Sequence, residues 1–242
     1  MINISVLYED ESILIVNKPA GLVVNRAESV KEKTIQDWME SRYSVFSSNF
    51  LSPEEKEFLA RSGVIHRLDK ETSGVMVLAK TAKAFHGVKA QFKARETEKR
   101  YVALVHGKVI PQKGSINLPL KRNLLNRRRF TVAVDGKMAK TEYTVHQYYL
   151  GKDNEEFTFL NLKLKTGRTH QIRVHLSHLG YPLVSDPLYL GKRLQQDVTW
   201  CPRLFLHARY LSFTHPQTCK RVAFEAELSP DLSSALERLI KI

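Results

Sequence analysis

Residues 63–80 read Gly-Val-Ile-His-Arg-Leu-Asp-Lys-Glu-Thr-Ser-Gly-Val-Met-Val-Leu-Ala-Lys and constrain the fold of this chain more than any other stretch. Two short apolar segments, 63–68 and 75–79, flank a polar turn closed by Gly74. The pattern predicts two strands with Asp69 at the exit of the first, where a carboxylate can meet a ligand. On residue type alone, an Asp followed by Lys, Glu and Thr before a glycine is more often a turn former than a nucleophile, and His66 and Arg67 suit an ordinary strand end.

A chain of 242 residues can bury a sizeable core, as one large domain or two fused subdomains. It contains no run of about 18 uncharged apolar residues, so no membrane-spanning helix is expected. A strand pattern at residues 4–8 replaces the apolar run and cleavage site of a signal peptide, which implies a cytoplasmic protein. Cys201 and Cys219 are too few for a disulfide framework and form no CxxC pair, which argues against structural zinc. The formal charge of +13, from 38 Lys and Arg against 25 Asp and Glu, points to a polyanionic partner, nucleic acid first, although a merely basic surface has the same composition.

Residues 4–8 and 13–17 read as a hairpin across an acidic turn, and Lys18-Pro19-Ala20-Gly21 stops its second strand. Residues 34–40 are helical in pattern, with Ile35, Trp38 and Met39 on one face, and 41–51 read as loop. Ser52-Pro53-Glu54-Glu55 marks a helix start, with Ser as cap and Glu55 three residues on, and this helix ends before Gly63. Residues 83–95 form another helix, whose Phe85, Val88 and Phe92 keep core spacing. Residues 99–107 follow as a strand with a basic entry, where Tyr101 suits amphipathic packing.

Lys121, Arg122, Arg127, Arg128 and Arg129 put five cations in nine residues, next to the turn Asp135-Gly136. The pattern over about 111–138 suggests an extended hairpin or flexible arm that grips phosphates, or else a solvated basic face. Residues 141–149 and 157–164 read as paired strands across a Gly-Lys-Asp-Asn turn. Residues 164–176 carry both helical and strand periodicity, and Thr169 as cap with Gly180 as stop favours a helix. His170, His175 and His178 lack the companions of a metal set, so they are expected to face solvent or make hydrogen bonds. A strand over 221–227 and a closing helix over 231–240, capped by its first residues, complete the reading.

His66-Arg67-Leu68-Asp69-Lys70-Glu71-Thr72-Ser73-Gly74 resembles the signature of the RluA family of RNA pseudouridine synthases, in which the Asp is catalytic. Residues 15–24 resemble that family's first segment, with Asn25 where many members carry His. Gly167-Arg168-Thr169-His170-Gln171-Ile172-Arg173 resembles its late motif. Residues 181–189 resemble its Pro-Leu-x-Gly-Asp-x-x-Tyr, with Ser185 and Leu190 where glycines are common, which implies a slightly different turn.

The resemblance implies an α+β fold with a mixed, mainly antiparallel sheet, split into two subdomains around a central catalytic cleft and forming one catalytic domain over 1–242. It implies that Asp69 is the catalytic residue, that Arg168 is its ion partner, and that Tyr101 stacks on the target uracil through the Lys-x-Tyr pattern begun by Lys99. Arg67 would fill the space left by the flipped base, and Arg127, Arg128 and Arg129 would hold phosphates. No cofactor or metal is expected, and the chain should act as a monomer on structured ribosomal or transfer RNA. The strand at Ile4 leaves no room for an N-terminal S4-type domain, so RNA contact is expected from the catalytic domain itself. A catalytically inactive RNA-binding or ribosome-assembly protein on the same scaffold, or a nucleosidase releasing uracil, are the competing readings.

Overall fold

The structure, a computed structural model, describes residues 2–28, 30–47 and 52–242. The chain forms two compact units, Met1–Glu98 with Tyr210–Glu227, and Lys99–Arg209 with Leu228–Ile242. Its fold class is α+β with a mainly antiparallel sheet, as expected.

In the first unit, β1 (Ser5–Glu9), β2 (Ile13–Lys18) and β3 (Ser73–Ala79) pair antiparallel, with Ile13 opposite Ala79 and Lys18 opposite Gly74. The helices are α1 (Ile35–Arg42), α2 (Pro53–Ala60) and α3 (Ala82–Ala94). A capping box starts α2 at Ser52 with Glu55, as expected, and another starts α1 at Thr34 with Asp37. The loop expected over 41–51 contains the end of α1 and a 3-10 turn at Ser44–Ser47, while 48–51 lie outside the described residues. Every residue of β3 is buried, and from Val75 to Ala79 it reads as an unbroken apolar run. Ile13, Ile15, Val75 and Val77 pack with Phe58, Phe85 and Val88 of the helices, each buried side chain contributing about 1.5–3 kcal/mol. Leu211, Phe213 and Ala226, from much later in the chain, complete the same core.

The second unit contains β4 (Glu98–His106), whose first residue belongs to the other unit, with β5 (Lys113–Arg122), β6 (Phe130–Val132), β7 (Lys137–Leu150) and β8 (Glu156–Leu164). These strands lie side by side in the order β4-β8-β7-β5-β6. Helix α4 (Gln171–His178) packs Ile172 and Leu176 against Ala103, Leu160 and Leu162. The short α5 (Leu194–Asp197) precedes β9 (Leu206–Thr214), which runs into the first unit and pairs there with β10 (Arg221–Glu225). The closing helix α6 (Pro230–Glu237) starts one residue earlier and stops sooner than expected, because Ile240 and Lys241 form β11 (Ile240–Lys241) on β7. Its N-cap, Ser229, makes no side-chain capping bond, and the hydroxyl accepts from Arg203 instead.

The strand expected over 63–68 does not form. Only Val64 bridges to Leu78, because Gly63 turns the chain at φ +74 and the Val77 amide donates to the His66 ring at 3.1 Å, where a backbone carbonyl would sit in a ladder. Gly74, expected to close the turn, lies inside β3 at φ +120. A Cβ on Gly63 would lie 2.1 Å from the Ala79 carbonyl oxygen, in a backbone region already costly for L residues. Gly63→Ala should therefore destabilise the protein by about 3 kcal/mol or more, read as a lowered denaturant midpoint at unchanged slope.

Candidate active site

Asp69 sits half-buried in the first unit at the start of a β-turn in which the Thr72 amide donates to the Asp69 carbonyl at 3.1 Å. The turn-former reading of this residue is thus what the backbone shows. Arg67, two residues earlier, is exposed. Lys70 is exposed and paired with Glu32 at 2.9 Å.

Beneath the turn lies Lys18, with 0% of its surface exposed. Its ammonium donates to the carbonyls of Pro19 at 2.8 Å, Leu22 at 2.9 Å and Lys70 at 3.1 Å. The Lys70 carbonyl also accepts from the Gly21 amide at 2.8 Å. Lys18 therefore ties the loop after β2 to the backbone next to Asp69. His66 fixes the other side. Its Nε2 accepts from Val77, which places the ring proton on Nδ1, and the ring stacks on Phe92 at 4.5 Å and 20°.

In the second unit, Tyr101 lies opposite Leu162 and packs against the cluster containing Ile172 and Leu176. Because β4 enters where β8 exits, Lys99 and Tyr101 stand at the end of the strand pair from which the chain continues to Arg168. Helix α4 is not capped by Thr169. Its N-cap is His170, at φ +55 and without a side-chain capping bond. Gln171 organises this end of the helix instead. Its Oε1 accepts from the Arg168 amide at 3.0 Å and the Thr166 hydroxyl at 2.7 Å, and its Nε2 donates to the Lys140 carbonyl at 3.0 Å and the Thr141 hydroxyl at 2.9 Å. The Arg168 side chain is left exposed, with Nε directed at the Met138 carbonyl at 3.4 Å.

His175 and His170 make hydrogen bonds, and His178 is exposed. His175 is fully buried, accepting from the Thr141 hydroxyl at 2.9 Å and donating from Nε2 to the Leu118 carbonyl at 3.2 Å, and burial holds its pKa below the ordinary value. His170 Nδ1 meets the Tyr189 hydroxyl at 3.0 Å.

Residues 111–138 do form a hairpin, of β5 and β6, with Leu120 opposite Val132 and Arg122 opposite Phe130. Tyr189 roots it: its hydroxyl accepts from the Phe130 amide at 2.8 Å, and its ring meets the guanidinium groups of Arg129 at 5.0 Å and Arg173 at 5.2 Å. Arg173 is in turn held by a buried, two-pronged pair with Asp186 at 2.7 and 2.8 Å. Ser185, where glycine was the common residue, takes the glycine-like φ of +54. A pocket of about 480 Å³ between this hairpin and the start of α4 is lined by Lys121, Arg122, Lys137 and Arg168, with Asp135 paired to Lys121 at 2.6 Å. Four cations against one carboxylate suit an anionic ligand.

A family model for RNA pseudouridylate synthase matches residues 12–178, and with them both motif segments around Asp69 and Arg168. The chain belongs to the RNA pseudouridylate synthase family. Among curated relatives of this pseudouridylate synthase, the ribosomal large subunit pseudouridine synthase D of Pseudomonas aeruginosa is 40% identical, over 95% of this chain and 70% of that protein. An RNA pseudouridine synthase of Bacillus subtilis is 35% identical, over 99% of this chain and 74% of its own length. The solved structure of human RNA pseudouridylate synthase domain containing 1 superposes with a TM-score of 0.74 at 27% identity, covering 99% of this chain and 89% of that one.

The pseudouridylate synthase reaction breaks the uridine N1–C1′ bond, turns the uracil, joins C5 to C1′ and removes the C5 proton. The first unit of this synthase carries Arg67 and Asp69, and the second carries Lys99, Tyr101, Arg127, Arg128, Arg129 and Arg168. Sequence reasoning missed Lys18, Gln171 and Tyr189 as supports. Lys18 at a strand end before Pro reads as a surface cation, and nothing local to it signals three backbone acceptors converging on one buried ammonium.

Proposed function

We propose that this pseudouridine synthase modifies specific uridines in ribosomal RNA of the large subunit, acting in the cytoplasm as a monomer, with 1–242 as one catalytic domain and 111–138 as its RNA-gripping arm. Asp69 is the nucleophile or proton-abstracting carboxylate, Arg168 its cationic partner, and Tyr101 the ring that packs on the uracil. Arg67 fills the space of the extruded base, whose removal from the stack costs on the order of a few kcal/mol. Lys99, Arg127, Arg128 and Arg129 contact the RNA backbone. The observation that carries this reading is the Asp69 turn, lying within the family match and fixed from below by buried Lys18. Ribosomal RNA is preferred over transfer RNA because the relatives from Pseudomonas aeruginosa, Buchnera aphidicola and Zymomonas mobilis carry large-subunit names. No helix among the described residues is long and apolar enough to cross a membrane, in keeping with this location.

Incubation with unmodified large-subunit RNA, followed by digestion and nucleoside chromatography, should yield pseudouridine. Unchanged uridine would favour the inactive binding protein, and abasic RNA the nucleosidase. Replacing Arg127, Arg128 and Arg129 with Gln should weaken RNA binding and lower the slope of log affinity against log salt by about 2, while saturated single-turnover conversion changes little. An unchanged slope would make the run a solvated face.

A further inference from the structure

The tip of the basic hairpin presents two leucines to solvent: Leu124 is 81% exposed and Leu125 101%. They stand within a loop whose polar groups are already paired. The Asn123 carboxamide oxygen accepts from the Leu125 amide at 2.9 Å and the Asn126 amide at 2.8 Å, and the Asn123 amide donates to the Arg129 carbonyl at 2.9 Å. The Asn126 side chain accepts from the Arg128 amide at 3.1 Å, and Arg122 donates to the Arg127 carbonyl at 3.1 Å. The leucines are thus held outward by an ordered turn, so engaging them requires little further ordering of the backbone.

We propose that Leu124 and Leu125 form an apolar wedge that enters a base step of the RNA substrate. The inference rests on the proposed RNA-modifying function and adds to it a contact with nucleobase faces. The surroundings select the occupant. Lys121, Arg122, Arg127, Arg128 and Arg129 flank the wedge, so its partner must be a polyanion that also offers flat apolar surface, and RNA bases supply that surface between phosphates. Arg129, stacked on Tyr189, and Arg122, 5.2 Å from the Phe130 ring, stand at the root of the hairpin, where they hold the phosphates flanking the opened step. Partial unstacking at this step lowers the cost of extruding a nearby uridine.

The apolar and ionic contributions separate by salt. The double substitution Leu124→Ser and Leu125→Ser changes only exposed side chains. It should weaken binding to the ribosomal RNA fragment converted by the wild-type enzyme about ten-fold while leaving the salt slope unchanged, since an apolar contact releases no counterions. Leu124→Met with Leu125→Met should restore most of the loss. With 2-aminopurine placed at successive positions of that fragment, wild-type binding should raise fluorescence at one step, and the serine variant should not. Wild-type affinity and fluorescence in the serine variant would overturn the wedge while leaving the function intact. Leucine-dependent binding to phosphatidylserine vesicles without an RNA effect, or a leucine-dependent dimer, would assign the tip to a membrane or to a second copy and overturn it as well. Failure of the wild-type enzyme to bind or convert any ribosomal RNA fragment would remove the function and the wedge together.

Discussion

Asp69→Asn should bind ribosomal RNA as the unaltered enzyme does and form no pseudouridine, a loss of about three orders of magnitude or more in single-turnover conversion. The substitution keeps side-chain size and most hydrogen-bonding capacity but removes the anion proposed to attack C1′ or abstract a proton. The turn itself survives, because it is closed by the Asp69 carbonyl and the Thr72 amide, both main-chain groups. Tyr101→Phe is the informative companion. It keeps a ring worth roughly 1–3 kcal/mol if stacked on a base, so intact binding with impaired conversion would assign the late proton transfer to the hydroxyl. Full turnover by Asp69→Asn, measured on RNA shown to be bound, would take the chemistry away from this residue.

Lys18→Met should cost both stability and activity. The methionine fills a similar volume but leaves the carbonyls of Pro19, Leu22 and Lys70 without the ammonium they share. The Lys70 carbonyl keeps its bond from the Gly21 amide, whereas the carbonyls of Pro19 and Leu22 lose the ammonium, so the loss of stability should be about 1–3 kcal/mol. Since one of those carbonyls belongs to the residue after Asp69, single-turnover conversion should fall further than the unfolded fraction explains when measured cold, where the variant stays folded. Conversion that tracks only the folded fraction would reduce Lys18 to a core residue without influence on the carboxylate.

The parts of this protein legible in its sequence are those governed by local chemistry. The capping box at Ser52, the apolar face of α3 and the pairing of the consecutive strands β7 and β8 each depend on one segment or on two adjacent ones, and each forms as expected. The failures have non-local causes. The 63–68 strand is lost because His66 competes for the Val77 amide eleven residues away, which apolar alternation cannot register. Thr169 has the chemistry of a cap, but Gln171 reaches across to Lys140 and Thr141 and makes a side-chain cap unnecessary. The residues proposed for chemistry came from motif resemblance, whereas the supports beneath them, Lys18 and Tyr189, emerged only when distant segments could be seen together.

The late contribution of Leu211, Phe213 and Ala226 to the first core bears on how the protein is made. At roughly 5–20 residues per second, a ribosome finishes residues 1–98 many seconds before it reaches 210–227. Through that interval the nascent Asp69 segment has a core with its last wall missing, and the intervening unit must be synthesised first. Completion of this core therefore waits for residues 210–227, and a ribosome that stalls before them displays apolar surface that chaperones can bind.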